Sequence, residues 1–489
     1  MIELLRKTTG LDVYEASLAE AQGTTYFLAR RGGRKLVGCV NGGRIAGEMV
    51  TQLGGKSVYL GPMNHANAEA IRSALPWTAP RCLGLATTVG LGDRLGLATP
   101  GHIRAVRGTG LGSMLAQQSI REMQRTNRTP QQVMDAATWG VLQEGFREGF
   151  GSDADHLQDA ESIDATLAAG FTLFTIDPGK HVQNNVETLG HDALAESFAA
   201  LDFEGLGTSA SDLTGLYVGK TFALAGGGEV LFDELTFHQA AVKYGNAIAY
   251  TVRMYEHLSA AANGPFELEV SVDETDSPTT TAEHYFFAAE LKRLGVEWIS
   301  LAPRFVGRFE KGVDYIGDMD FFRASLAEHV AVMRTLGPYK LSIHSGSDKF
   351  SIYPVIAELA EGMVHLKTAG TSYLEAIRAI AKTDPSLFKE ILDFARGQYE
   401  TDKATYHVSA DVAKVPPAET LADAELPGLL DQFDARQTLH VTFGSVLTCE
   451  NGSKFGDRIR AALEADEETH YAALQSHLAK HIQPFAQKR

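Results

Sequence analysis

The sequence predicts an α/β protein, a (β/α)8 TIM-like barrel with a small N-terminal α+β module and an insertion. From about residue 80, eight short apolar segments alternate with longer stretches of helical period. That alternation implies parallel strands joined by right-handed crossovers, and eight such units close into a barrel. Residues 1–78 read differently, because "TYFLAR" and "KLVGCV" flank the turn "RGGR" as a hairpin and "SVYLGPM" adds a further strand. The expected division is residues 1–78 as the module and 79–489 as the barrel, with an insertion at about 179–264 and closing C-terminal helices.

The expected barrel strands are, in order, "RCLGLATT", "SDADHL", "FTLFTIDP", "FELEVSVDE", "EWISLAPR", "KLSIHSGS", "MVHLKTAG" and "TYHVSAD". Amphipathic helices such as "TAEHYFFAAELKRLG" and "MDFFRASLAEHVAVMRTLG" lie between several of them, each followed by a glycine stop. The stretch from 179 to 264 is too long for one crossover, and "LAGGGEVLFDE" within it suits a turn between short elements. Its glycines do not continue into GxGxxG, which argues against a nucleotide cofactor. The tail from Cys449 reads as one or two helices packed on the outside.

Composition narrows the function. A formal charge of −17 argues against nucleic acid or an anionic membrane as the main partner. Three scattered cysteines suit a reducing cytoplasm, and there is neither an apolar leader at the start nor an apolar run of membrane length. The expected partner is a small molecule; an oligomer is compatible with the composition.

In such a barrel the chemistry sits at the C-terminal ends of the strands. Those positions hold Asp153, Asp155 and His156, then Asp177, then Glu269, Asp273 and Glu274, then Arg304, His344, His365 and Lys367. Buried parallel strands are normally aliphatic, so this density of ionisable groups at one end indicates a site. Histidines and carboxylates from different strands are the usual ligands of a divalent cation with open positions, whether Mn, Zn, Co or Ni. His156 and His344 are the expected pair, completed by Asp273 or Glu310, with His365 in reserve.

Asp155 and Glu269 are the proton-transfer candidates. The structural alternatives are a helix N-cap for Asp155 and a salt bridge for Glu269. Lys367, before a glycine-containing loop, suits either a Schiff base or an anion contact. The loop "APRFVGRFEKGVDYIGD" suits closure over a substrate, with Arg304 or Lys311 on a carboxylate.

The strings "SVDETDSPTT", "SLAPRFVGRFEKGVDYIGD", "KLSIHSGSDKFSIYP" and "HLKTAGTSYLEA" resemble the tagaturonate/fructuronate epimerase family of hexuronate catabolism, most densely over about 265–380. The resemblance implies a metal-dependent epimerase acting on a keto-uronate. Such a substrate needs a cationic grip, for which Arg304, Lys311, Lys349 and Lys367 are available. Ser345, Ser347, Asp348 and Asp177 suit contacts to sugar hydroxyls. The same logic extends to a neutral ketohexose, by tagatose/fructose 4-epimerisation. The rival readings are a metal-free aldolase-type enzyme using Lys367 and a sugar-acid-binding barrel without catalysis.

Overall fold

The computed structural model describes residues 2–486; Met1 and residues 487–489, the outer ends of the two expected units, lie outside the described residues. Eight parallel strands close a barrel: β1 (Thr88–Gly90), β2 (Gly112–Ser119), β3 (Gly151–Leu157), β4 (Leu173–Ile176), β5 (Glu267–Ser271), β6 (Ser300–Ala302), β7 (Lys340–Ile343) and β8 (Val364–Lys367). Each strand pairs with its neighbours in sequence, and β8 closes onto β1.

Two of the expected strands are corrected. The segment "RCLGLATT" is largely irregular, with Gly84 at φ +67°, and the strand begins only at Thr88. "TYHVSAD" is no strand; it runs as an irregular strap whose Tyr406 and His407 line a cleft at the barrel mouth. The true partner between β1 and β3 is "GSMLAQQS". Its polar Ser113, Gln117, Gln118 and Ser119 hide the apolar signal, yet all four are buried.

Polar residues fill much of this barrel. Lys340 at the start of β7 is fully buried and donates to the carbonyls of Gly84 and Ala86 and to the Thr88 hydroxyl at 3.1, 3.4 and 3.1 Å. The Lys340 ammonium at the floor is thus satisfied, as burial demands.

Before the barrel, antiparallel strands occupy Asp12–Val13, Ala19–Ala21, Thr24–Arg31, Arg34–Val40, Glu48–Leu53 and Lys56–Pro62. The hairpin expected at "RGGR" pairs Arg31 with Arg34, and Gly32 and Gly33 both have positive φ, as a two-residue I′-type turn requires. Between β4 and β5 the chain inserts two short helices, a hairpin (Lys220–Ala223 with Glu229–Phe232) turned by the Gly226–Gly228 run, and the helix Glu234–Ala261.

The helices over "TAEHYFFAAELKR" and "MDFFRASLAEHVAVMRTL" begin on Thr280 and Asp318 caps. Thr280 forms a capping box with Glu283. After β8 come further helices with a core of their own, as far as Gly456–Ala465, and then Glu467–Ile482, whose Leu474, Leu478 and Ile482 join the barrel core. The last of these is not a simple outer cover: His470, His477 and His481 are buried, and two of them reach the loop after β7.

Candidate active site

Alternation along the strands sets the site in layers. His365 and Lys367 lie two apart on β8, as do Asp153 and Asp155 on β3, so each pair shares a face at different depths. Lys367 Nζ lies 3.0 Å from Asp153, 2.6 Å from Asp155 and 2.7 Å from Glu269, and donates to the Thr175 hydroxyl at 2.9 Å. Burial works against its charge, but the three carboxylates hold its pKa well above the ordinary lysine value. An amine so held is an ammonium at neutral pH, unsuited to Schiff-base formation.

His156 should face away from Asp155 in a regular strand. Instead the β3–β4 register shifts there and His156 takes φ +52°. This bulge brings two successive residues to the barrel mouth. His156 Nδ1 is 3.0 Å from Asp177, which also accepts from the Gln158 side chain and the Gly179 amide. His344, just past β7, has Nε2 2.6 Å from Glu269 and Nδ1 3.2 Å from Asp273.

His156 Nε2 and His344 Nδ1 also face one another at 3.3 Å, so His344 Nδ1 lies between Asp273 and His156. Burial lowers the proton affinity of His156, but Asp155 and Asp177 overcome it and push the pKa up to about 10. For His344, burial and Lys367 are outweighed by Asp273 and Glu269, which push it up to about 9.

Asp155, His156 and His344 present ligand-type atoms all within 4.8 Å of one another. The residues fit a divalent cation on three counts. Each histidine has a carboxylate on the nitrogen turned away from the other, the partner that usually orients a metal-ligating imidazole. His156 Nε2 and His344 Nδ1 lie 3.3 Å apart, a separation that suits an N–H···N hydrogen bond or two nitrogens turned toward one ion. Five carboxylates (Asp153, Asp155, Asp177, Glu269, Asp273) surround one lysine and these two histidines.

A cleft of about 320 Å³ opens over this group, with Asp273, Arg304, Phe305, Phe309 and Tyr406 in its wall. It shares Lys311, His344 and Ser345 with an inner recess of about 60 Å³, which Gln117, Glu122, Asp155, His156, Lys367 and His440 line.

The structure therefore gathers Asp155, His156, Asp177, Glu269, Asp273, His344 and Lys367, with Arg304, Lys311 and Ser345 on the walls. Asp155 is not a helix cap; Asp159 caps the following helix. Glu269 lies beneath the mouth, holding His344 and Lys367 together.

Four residues fall elsewhere. Glu310 accepts from Ser409 and Gln437, tying its loop to the strap rather than joining the histidines. His365 lies one layer down, 2.7 Å from the Thr88 hydroxyl. Lys349 is fully buried and donates to the carbonyls of Glu310, Val313 and Ser347 at 2.7, 2.6 and 3.0 Å, so it staples loops instead of reaching a substrate. Asp348 turns away, with φ +63°, toward Arg436 and His477.

Gln117, Glu122, Arg94, Tyr406 and His440 were not expected. Gln117 donates to Asp155 at 3.0 Å, and Arg94 Nε donates to Glu122 at 3.0 Å. Only the polar break in "GSMLAQQS" signals Gln117; the others lie in stretches with no local pattern.

A family model described as tagaturonate epimerase matches residues 14–485. The tagaturonate/fructuronate epimerase of Thermotoga maritima is 41% identical over 478 residues, covering 97% of this chain and 96% of that protein. The native crystal structure of the fructuronate-tagaturonate epimerase of Cohnella laeviribosi is 37% identical with a TM-score of 0.92, over 99% of this chain and 98% of that one. Its complex with two glycerols gives a TM-score of 0.93 over 99% of each chain.

Proposed function

Since the chain belongs to the tagaturonate epimerase family, an isomerase family, we propose that it interconverts tagaturonate and fructuronate by metal-dependent cleavage and re-formation of a carbon–carbon bond. The observation that carries this reading is the convergence of Asp155, His156 and His344 at the mouth, each histidine held from behind by a carboxylate.

The two sugars differ at a carbon next to neither the ketone nor the carboxylate. Its hydrogen is not acidic, so enolisation does not invert it. Its hydroxyl is β to the ketone, which permits a retro-aldol step. The hydroxyl proton leaves, the bond to the carbon α to the ketone breaks, and an aldehyde and an enediolate result. The aldehyde turns over, the bond re-forms on its other face, and a proton returns to the new alkoxide.

Asp155 lines the recess, and Lys367 with the two histidines holds its carboxyl well below the usual carboxylate range against the effect of burial. It is therefore an anion that accepts the hydroxyl proton. Lys367, 2.6 Å away, donates a proton to the re-formed alkoxide and is recharged by Asp155. No net proton is gained or lost. Glu269 serves as the positioning group for both His344 and Lys367. A divalent cation, for which His156 and His344 would be the ligands with Asp155 kept free as the base, would supply Lewis-acid stabilisation of negative charge on oxygen without redox chemistry. Mn, Zn, Co and Ni all suit this donor set.

The same bond cleavage inverts the corresponding carbon of tagatose to give fructose, so the neutral ketose is the second substrate expected. The test is turnover of tagaturonate followed by NMR, before and after chelation and with single divalent metals restored. Conversion that stops on chelation and returns with metal is expected. Conversion unaffected by complete metal removal would overturn the mechanism, and no conversion under any metal would overturn the function.

A further inference from the structure

His440 is the least explained side chain of the inner recess. It lies on the helix Phe433–Val441 and is 2% exposed, yet neither ring nitrogen has a hydrogen-bond partner among the described residues. Its ring fits a slot made by two glycines. A Cβ at Gly370 would lie 2.0 Å from His440 Cε1, and one at Gly312 would lie 3.0 Å from its Nδ1. A buried polar group left unpaired costs free energy, so a shaped slot holding one implies that something else satisfies it.

A second orphan lines the same recess. Arg94 gives Nε and Nη2 to Glu122 and stacks on Phe443 with its guanidinium carbon 3.6 Å from the ring centroid. Its Nη1 is buried without a partner. Lys311 reaches the same space, held by Ser345 at 2.6 Å. The 13-residue helix Thr371–Thr383 begins at Gly370, directly against the His440 ring, so its positive end adds to the field. Glu122, which lines the same recess, is already paired with Arg94.

We propose that His440, Arg94 Nη1 and Lys311 form the subsite that takes the carboxylate of the sugar acid, with His440 contacting it through a neutral N–H. This rests on the function proposed above and deepens it. Burial, with Arg94 and Lys311 nearby, holds the His440 pKa well below the ordinary value, which keeps the ring neutral at working pH. The chemistry gives the subsite a second task. Retro-aldol cleavage leaves the carboxylate on the aldehyde fragment, the piece that must turn over. Anchoring that carboxylate retains the fragment while its carbonyl swings.

The test compares His440→Phe and Lys311→Met with the unaltered protein, on tagaturonate and on tagatose, where an uncharged group replaces the carboxylate. His440→Phe is expected to raise KM for tagaturonate by about 10–100-fold, the loss of a charge-assisted hydrogen bond, and to lower kcat only by the share of cleaved fragment that escapes. The kcat/KM for tagatose, or its inhibition constant as a competitor, should move less than about threefold. Lys311→Met, on the open side of the recess, should act in the same direction and guards against a folding defect in the first variant. Trapping in solution should detect the escaping three-carbon aldehyde acid in both variants.

An equal fall for both sugars, or an unchanged KM for tagaturonate in both variants, would overturn the subsite while leaving the reaction intact. Failure of the unaltered protein to convert tagaturonate would instead remove the reading on which the subsite rests.

Discussion

Two groups of one aspartate and two histidines flank the loop after β7, and they have opposite characters. Asp155, His156 and His344 stand in the barrel mouth; Asp348, His477 and His481 stand behind the loop. Both bring ligand-type atoms within 4.8 Å of one another. In the second group, however, Arg436 Nη2 lies 3.0 Å from Asp348, and Glu375 lies 3.3 Å from both Arg436 Nη1 and His477 Nδ1. His481 Nε2 already accepts the Asp348 amide at 2.9 Å.

Charges and lone pairs there are spent internally, and the group acts as a clasp between the last helix and the loop bearing Ser345 and Ser347. In the first group the carboxylates outnumber the cations and two imidazole nitrogens face each other at 3.3 Å. Residue type and proximity are common to both groups; what separates them is the surplus of carboxylates at the barrel mouth.

The largest effects should separate the two groups by metal content. His344→Ala is expected to lower kcat/KM by at least about 1,000-fold and to lose bound metal, measured by elemental analysis of the purified protein. His477→Ala should keep its metal. Equal loss in both would break the distinction. The clasp should show itself in stability instead: Asp348→Ala leaves Arg436 buried without its closest carboxylate and should cost about 3–5 kcal/mol in urea unfolding.

The barrel, its N-terminal hairpin and the family were legible in the sequence because each rests on pattern: strand–helix alternation, a Gly-Gly turn and long wordlike motifs. The placement of Asp155, His156 and His344 at one end of the barrel was legible because they fall at the C-terminal ends of expected strands. What failed to show has a physical cause in each case. β2 is lined with buried glutamines and serines, so its period-two signal is erased. Lys349 and Asp348 sit beside Ser345 in sequence, but left-handed backbone at Ser345 and Asp348 turns successive side chains in different directions. Arg94, Glu122 and His440 meet only through folding, from stretches that carry no motif.

A smaller effect sharpens the role of the carboxylates behind the histidines. Glu269→Gln and Asp177→Asn keep size but weaken the grip on the second imidazole nitrogen. Each should lower metal affinity by about 10–100-fold in competition with a chromogenic chelator. Glu375→Gln, which touches His477 in the clasp, should leave that affinity unchanged, and a comparable loss there would mean that the clasp also shapes the ion site.

The smallest effect concerns pH. Burial lowers the pKa of His481 from 6.5 to about 3, more than offsetting the pull of Asp348. Between those values the unfolded chain binds a proton at this position that the folded chain does not, so stability rises with pH there. The contribution is complete above the unfolded pKa and is lost as pH falls toward 3. At pH 5 the loss from this one group is about 2 kcal/mol relative to pH 7 or above. His481→Gln carries no titrating group, so its urea-unfolding stability should fall less between pH 7 and pH 5 than that of the unaltered protein, by about that amount. An identical fall in both would mean that His481 takes up its proton in the folded state, with its Nε2 no longer accepting the Asp348 amide. The clasp would then open in acid, and the contrast between a closed network and the proposed ion site would hold only near neutral pH.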